Sequence, residues 1–242
     1  SPEILRYRNK GQFPVGRDES GVAFGFYRSR SHQLIPLTDC KLQSEESCAL
    51  AKAVCQWADE QGVAPYDEQK HKGILRHIYV RQGRAGLHLT LVVREDKLPD
   101  TQRLVELCRQ AVPALCGMVI NVNPHPGNRI LGLENRTLWG DERLEDDLMG
   151  NTFRLSPLSF YQVNHAQTEH LYACAAAWAA PDDKTDALDL YCGVGTITLT
   201  LAQKAKSVIG VEVVPQSIID AKDNARRNNI HNVEFIEGAA ET

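Results

Sequence analysis

A strand, a glycine turn, a helix and a second strand ending in an acid are written into residues 187–212. The run ALDLYCGVG at 187–195 leads apolar Ala187, Leu188 and Leu190 into a Gly-x-Gly turn at Gly193 and Gly195. A second apolar run at 207–211 ends in Glu212, 17 residues after that turn. Such a unit presents a nucleoside: glycines let the backbone approach the ligand, and the acid accepts from the ribose hydroxyls. The spacing alone fits either a dinucleotide or S-adenosylmethionine. The position three after Gly195 separates them. A dinucleotide fingerprint needs Gly or Ala there, so that the helix closes on the strand and its N-terminus faces a pyrophosphate. This chain has the β-branched Thr198. The ligand is therefore read as S-adenosylmethionine, which has no pyrophosphate to cradle.

Periodicity extends the reading along the chain. From residue 187 the order is β-α-β-α-β, with strands at 187–191, 207–211 and 233–236 and helices at 197–203 and 216–228. Strict alternation implies a parallel sheet with right-handed crossovers. The earlier part is mixed. Strands are expected at 6–14 and 22–28, a hairpin at 77–80 and 87–94, and further strands at 118–122 and 148–154. Amphipathic helices are expected at 44–61, ended by Gly62, and at 101–111, with an Ala-rich helix at 165–180. The fold class is thus α/β, with a Rossmann-like sheet behind an α+β module. The boundary is placed near residue 150, giving modules 1–150 and 151–242.

At these residues the chain resembles the RNA uracil-5 methyltransferases. The resemblance is carried by Asp189-Leu-Tyr-Cys-Gly-Val-Gly-Thr196, by Ser159-Phe-Tyr-Gln-Val-Asn164 and by Gly210-Val-Glu212. Leu5-Arg-Tyr-Arg-Asn-Lys10 and Gly73-Ile-Leu-Arg-His77 extend it over nearly the whole length. It implies a class I methyltransferase sheet that uses S-adenosylmethionine to methylate C5 of a uridine in structured RNA. It also implies a family longer at both ends, whose complete sheet has more strands than the three found here. The absence of an initiator Met before Ser1-Pro2 and the stop at Glu241-Thr242 fit an excised or incomplete chain.

Several residues are candidates for the cofactor. Glu212 is expected to accept from both ribose hydroxyls. Tyr191 would lie against the ligand, and Gly193 with Gly195 would let the backbone reach it. Asp189, at a strand end, can orient the ligand's ammonium. Gln162 is a candidate through the resemblance alone, which implies that the Gln of the F-x-Q-V-N segment contacts the cofactor.

Cys192 lies in the glycine loop and is rejected as a nucleophile. The resemblance implies that a cysteine adds to C6 of uracil from the face opposite the methyl donor and that a base then removes the C5 proton. It places both residues, and an Asp-Pro-Pro segment that completes the cofactor site, beyond Thr242. No catalytic residue is therefore assigned within the chain, and the chain alone is expected to be inactive. Cys40, in HQLIPLTDC, resembles the last of four cysteines that hold a [4Fe–4S] cluster, the other three falling before Ser1. This favours ribosomal RNA over tRNA as substrate. A methyltransferase for another substrate and an inactive RNA-binding fragment are the alternatives; no Asn-Pro-Pro-Tyr motif of amino methylation occurs.

Charge and cysteine usage narrow the setting. A net charge of −4 argues against a protein that grips nucleic acid over its whole surface. Locally, residues 69–86 carry Lys70, Lys72, Arg76, Arg81 and Arg84 without an acid. Residues 5–30 carry six Lys or Arg against Asp18 and Glu19, interleaved with Tyr7, Phe13, Phe24, Phe26 and Tyr27. Cations for phosphate and rings for stacking suit looped RNA, whereas a solvated face over ordinary core aromatics is the plainer reading. Seven cysteines without a C-x-x-C suit a reducing cytoplasm, and Cys48, Cys55, Cys108, Cys116 and Cys174 are read as packing. No apolar run approaches a membrane span, and a monomer is expected.

Overall fold

The structure, a computed structural model, describes residues 3–240; the readings placed on Ser1-Pro2 and Glu241-Thr242 lie outside them. The described chain forms two compact units that meet in sequence between Leu144 and Glu145.

The first unit is built on β1 (Lys10–Asp18), β2 (Gly21–Tyr27), β3 (Leu34–Pro36), α1 (Glu45–Glu60), β4 (Leu75–Gly83) and β5 (Gly86–Val93). It continues through α2 (Thr101–Ala111), β6 (Leu115–Val122) and β7 (Glu134–Gly140). Its seven strands form one sheet in the order β3-β2-β1-β4-β5-β6-β7. Only β5 and β6 run parallel, because α2 carries the chain back between them.

Local signals account for both helices. Ser44 caps α1, accepting from the Ser47 amide at 3.1 Å, and Glu45 and Glu46 complement the positive end of the helix. The apolar stripe Leu50, Val54, Trp57 and Ala58 is fully buried with Phe13, Ile78, Leu91 and Ile120 of the sheet. The Trp57 indole N–H donates to the Asp100 carbonyl at 3.1 Å, so the largest core side chain leaves no polar atom unpaired.

Three sequence expectations are corrected here. The strand expected at 6–14 begins at Lys10, because Phe13 and Val15 must pair in register beside Ile78 and Phe24. Before it, Arg6 is drawn aside with φ +56°, its guanidinium donating to Asp39 and to the Cys40 and Gln43 carbonyls. The single strand expected at 148–154 is a hairpin of β8 (Leu144–Leu148) and β9 (Asn151–Leu155). Met149 and Gly150 turn it with φ of +52° and +78°. Strands β3 and β7 have no counterpart in the sequence reading.

The basic run 69–86 also divides. Arg76 and Arg81 are interior: Arg76 donates to the Asn123 and His125 carbonyls, both at 2.7 Å, and stacks on Tyr66, while Arg81 donates to the Tyr79 hydroxyl. Lys70, Lys72 and Arg84 stay exposed. A phosphate surface made of all five cations is thereby excluded. Phe13 and Phe24 are likewise core residues, packed edge to face at 5.2 Å, and not stacking platforms. Cys174, read as packing, is exposed on its helix, because the apolar residues of that Ala-rich helix do not gather on one stripe.

The second unit adds α3 (His165–Ala179), β10 (Asp186–Leu190), α4 (Thr196–Ala202), β11 (Ser207–Glu212), α5 (Pro215–Arg227) and β12 (Val233–Glu237) to the hairpin. Strands β10, β11 and β12 form a parallel sheet in that order, Leu188 facing Ile209 and Val211 facing Ile236. The alternation read in the sequence is this βαβαβ unit. Val208, Leu199, Ala221 and Phe235 fill the space between sheet and helices. Among the described residues no helix is long and apolar enough to cross a membrane.

Candidate cofactor site

The site lies at the carboxyl end of β10, where a doubly wound sheet presents its ligands. Leaving Leu190, the backbone turns through Tyr191 with φ +64°, Gly193 with φ +57° and Gly195 with φ +84°. Gly195 caps α4, and a side chain there would meet the Phe235 ring at 3.0 Å, so only glycine lets the helix sit this close to the sheet. The Cys192 amide donates to the Val211 carbonyl at 3.0 Å, which ties the loop to β11.

Glu212 ends β11 and holds that loop. One carboxylate oxygen accepts from the Gly193 amide at 3.1 Å and the other from the Val214 amide at 3.0 Å. Each oxygen keeps a further lone pair for a ligand hydroxyl. Asp189 is oriented by Thr198, whose hydroxyl donates to it at 2.6 Å from a fully buried position on α4. Burial raises the Asp189 carboxyl above the ordinary carboxylate range, with the Thr198 bond acting in the opposite sense. The residue that separated the two ligand classes in the sequence thus also fixes the acid at the strand end.

A cavity of about 120 Å³ opens beside the loop. Gln162, Asp189, Tyr191 and Gly193 all line it, with Phe160 and Tyr172. Glu212 does not line it; it touches the site through Gly193. Tyr191 is 64% exposed, which rules out core packing as the reason for a tyrosine there. The cavity is smaller than the roughly 300–1,000 Å³ of pockets that enclose a drug-sized ligand. Its volume has room for only one end of an elongated ligand.

Two polar side chains of α5, with Asn228 that caps its C-terminus, support the site and had no role in the sequence reading. Asn228 accepts from the Thr152 amide and donates to its carbonyl, at 2.8 and 2.7 Å. Asn224, one turn earlier, accepts from the Arg154 amide at 2.8 Å and donates to the Val194 carbonyl at 3.3 Å. Asp220, one turn earlier again, accepts from the Ser159 hydroxyl at 2.7 Å and from the Gln216 side-chain Nε2 at 3.0 Å. This row pins β9, the glycine loop and the segment leading to Gln162 onto one helix. The i, i+4, i+8 spacing of Asp, Asn and Asn was the signal available in the sequence.

Cys192 is unsuited to nucleophilic work. Burial, then the Asp189 and Glu212 carboxylates, push its thiol up to about 12. Such a thiol stays protonated at neutral pH. Iodoacetamide at pH 7.5 is therefore expected to label exposed Cys174 while leaving Cys192 unmodified in the folded chain. Peptide mapping that found Cys192 labelled as fast as Cys174 would overturn this.

Cys40 is buried, with Cys48 near it. Among the described residues no group of three His, Cys, Asp or Glu stands close enough to hold a metal ion. The four thiolates of a [4Fe–4S] cluster are not supplied by these residues.

Comparison with known proteins agrees with this geometry. Residues 136–242 match the model of the tRNA (uracil-5-)-methyltransferase family. An uncharacterised RNA methyltransferase of Halalkalibacterium halodurans is 44% identical over 241 residues, 99% of this chain and 53% of that protein. One from Clostridium tetani is 42% identical over 238 residues, 98% of this chain and 52% of that protein. The chain thus spans about half the length of the curated relatives it matches. The fold is shared with the crystal structure of a Pyrococcus abyssi tRNA (uracil-54, C5)-methyltransferase in complex with S-adenosyl-L-homocysteine. That match has a TM-score of 0.82 at 22% identity and covers 99% of this chain and 57% of that one. The chain is thus similar to the tRNA (uracil-5-)-methyltransferase family over residues 136–242 and to these RNA methyltransferases over nearly its whole length.

Proposed function

We propose that this chain holds S-adenosylmethionine for an enzyme that methylates C5 of a uridine in RNA. The observation that carries the reading is the convergence of Gln162, Asp189, Tyr191 and Gly193 on one cavity, with the Glu212 carboxylate bonded to the Gly193 amide. Bound there, the cofactor supplies an electrophilic methyl group on sulfur. The chain's own residues bind and orient it. Asp189, fixed by Thr198, faces the cavity and takes the ammonium end. Tyr191 covers the ligand from the exposed side of the loop. Glu212 accepts from the ribose hydroxyls with the lone pairs its two amide partners leave over.

The thiolate that adds to C6 of the uracil, and the base that removes the C5 proton, are assigned to residues outside this chain. Cys192 is too buried and too weakly acidic for the first role. Ribosomal RNA is preferred to tRNA only through Cys40, as a cluster ligand completed by cysteines outside the described residues. Free thiols and an RNA substrate support a cytoplasmic setting for this enzyme.

The test uses the protein at the full length of its relatives, S-adenosylmethionine, and ribosomal or transfer RNA carrying tritium at C5 of uridine. Methylation at C5 must release that tritium, in proportion to methyl groups incorporated. Methyl incorporation without release would place the reaction at another atom. Release from one RNA and not the other decides the substrate class.

A further inference from the structure

A cavity of about 630 Å³ beside the sheet of the first unit takes no part in the cofactor site. Its walls are the end of β1 with Arg17, the end of β2 and the following turn with Tyr27 and His32, and the 64–69 segment with Tyr66 and Glu68. Its volume falls within the roughly 300–1,000 Å³ of small-ligand sites. The second and third of these walls are tied together by His32, whose ring nitrogen meets the Glu68 carboxylate at 2.5 Å. The Tyr66 ring is rigid: Arg76 stacks at 4.6 Å from its centroid, and its hydroxyl bonds the His71 ring at 2.9 Å. Tyr27 and His32 meet edge to face at 5.8 Å. Arg17, 55% exposed and 3.7 Å from Asp59, is loosely held.

Rings, the Glu68 carboxylate and one loosely held guanidinium match the parts of a nucleotide, while the Asp67 carboxylate that also lines the cavity accepts from the Gln69 and Lys70 amides. Aromatic planes stack a base, a carboxylate accepts from N–H groups on its Watson–Crick edge, and a guanidinium takes phosphate. The carboxylate also selects among bases. Guanine presents two adjacent N–H donors, at N1 and N2, which a carboxylate can accept together. Uracil presents one, flanked by two carbonyl oxygens that a carboxylate repels.

We propose that this cavity binds a guanine nucleotide, stacked on the Tyr27 ring, paired to the Glu68 carboxylate that His32 positions, and held at its phosphate by Arg17. The nucleotide is either free or an unstacked residue of RNA; the second source deepens the methyltransferase reading and rests on it. Uridine, the base methylated in that reading, is discriminated against here, so the cavity is a second site and not the reaction centre.

The experiment titrates the 242-residue chain with GMP and UMP, and with pentaribonucleotides UUGUU and UUUUU, by calorimetry. Guanine is expected to bind about tenfold or more tightly than uracil, since a good base contact is worth about 1–3 kcal/mol. Glu68→Gln should bring the two bases to within about twofold, and Tyr27→Leu should weaken both. Thermal unfolding by circular dichroism checks that each variant folds. Preference seen with the oligonucleotides but not with GMP assigns the site to RNA. GMP binding as tightly as UUGUU assigns it to the free nucleotide. Equal affinity for G and U, no binding of either, or a preference that survives Glu68→Gln overturns the proposal. S-adenosylmethionine affinity, measured in the same samples, should not change in either variant. Its loss from the wild-type chain would instead count against the methyltransferase reading.

Discussion

Glu212→Ala is expected to weaken S-adenosylmethionine binding by about 2–4 kcal/mol, roughly 30- to 700-fold in Kd. Two effects combine. The variant loses charge-assisted acceptors for the ribose hydroxyls, and it frees the Gly193 and Val214 amides that the carboxylate holds at 3.1 and 3.0 Å. The second effect reaches the ligand through the loop, because Gly193 also lines the cavity. Glu212→Gln separates the two. Its amide oxygen can keep one backbone bond and one ribose bond but not the full set, so its loss should fall between wild type and alanine. Calorimetry on the three proteins measures this. An unchanged dissociation constant in Glu212→Ala would remove Glu212 from the ligand. A glutamine variant as weak as alanine would make the negative charge, not the hydrogen-bond count, the decisive property.

Much of this site could be read before the structure because its residues announce themselves locally. Gly193 and Gly195 are glycines for a backbone reason, and both have positive φ. Glu212 follows an apolar strand directly, so its place at a strand end was fixed by periodicity alone. Helix α1 was bounded to within a residue at each end, since Ser44 caps it and Gly62 follows it. What escaped was held by distant partners. Strand β7 has a largely exposed sequence, ENRTLWG, with no alternation, and is a strand only because β6 pairs with it. Arg76 looked like a surface cation because its partners are main-chain carbonyls 47 and 49 residues away, which no charge count can show. Gln162 came through resemblance, and nothing local marked it. Its place beside Asp189 and Tyr191 depends on how the chain from Leu155 onward is fastened to α5.

That fastening supports the second large prediction. Asp and Asn in a helix usually face water, and the row Asp220, Asn224, Asn228 would pass for a solvated face. Instead Asp220 and Asn224 are fully buried. Asn224 is the critical member, because its two bonds join β9 to the glycine loop. Asn224→Leu keeps the branching at Cγ, in a larger side chain, but leaves the Arg154 amide and the Val194 carbonyl without their partner. A buried polar group left unpaired costs about 1–3 kcal/mol, so the pair should cost roughly 2–5 kcal/mol, partly offset by the added apolar burial. Asn228→Ala should cost less than half as much, because Asn228 is only half-buried and water can replace its bonds to Thr152. Hydrogen exchange of the Arg154 amide in the 242-residue chain reads the effect directly. Its protection should fall by about 30-fold or more in Asn224→Leu, at 1.4 kcal/mol per factor of ten. Cofactor affinity should fall with it, though by less than in Glu212→Ala, because Asn224 acts on the ligand only through the loop. Full protection of Arg154 in the leucine variant would mean that packing, not these two hydrogen bonds, holds the hairpin and the glycine loop to α5.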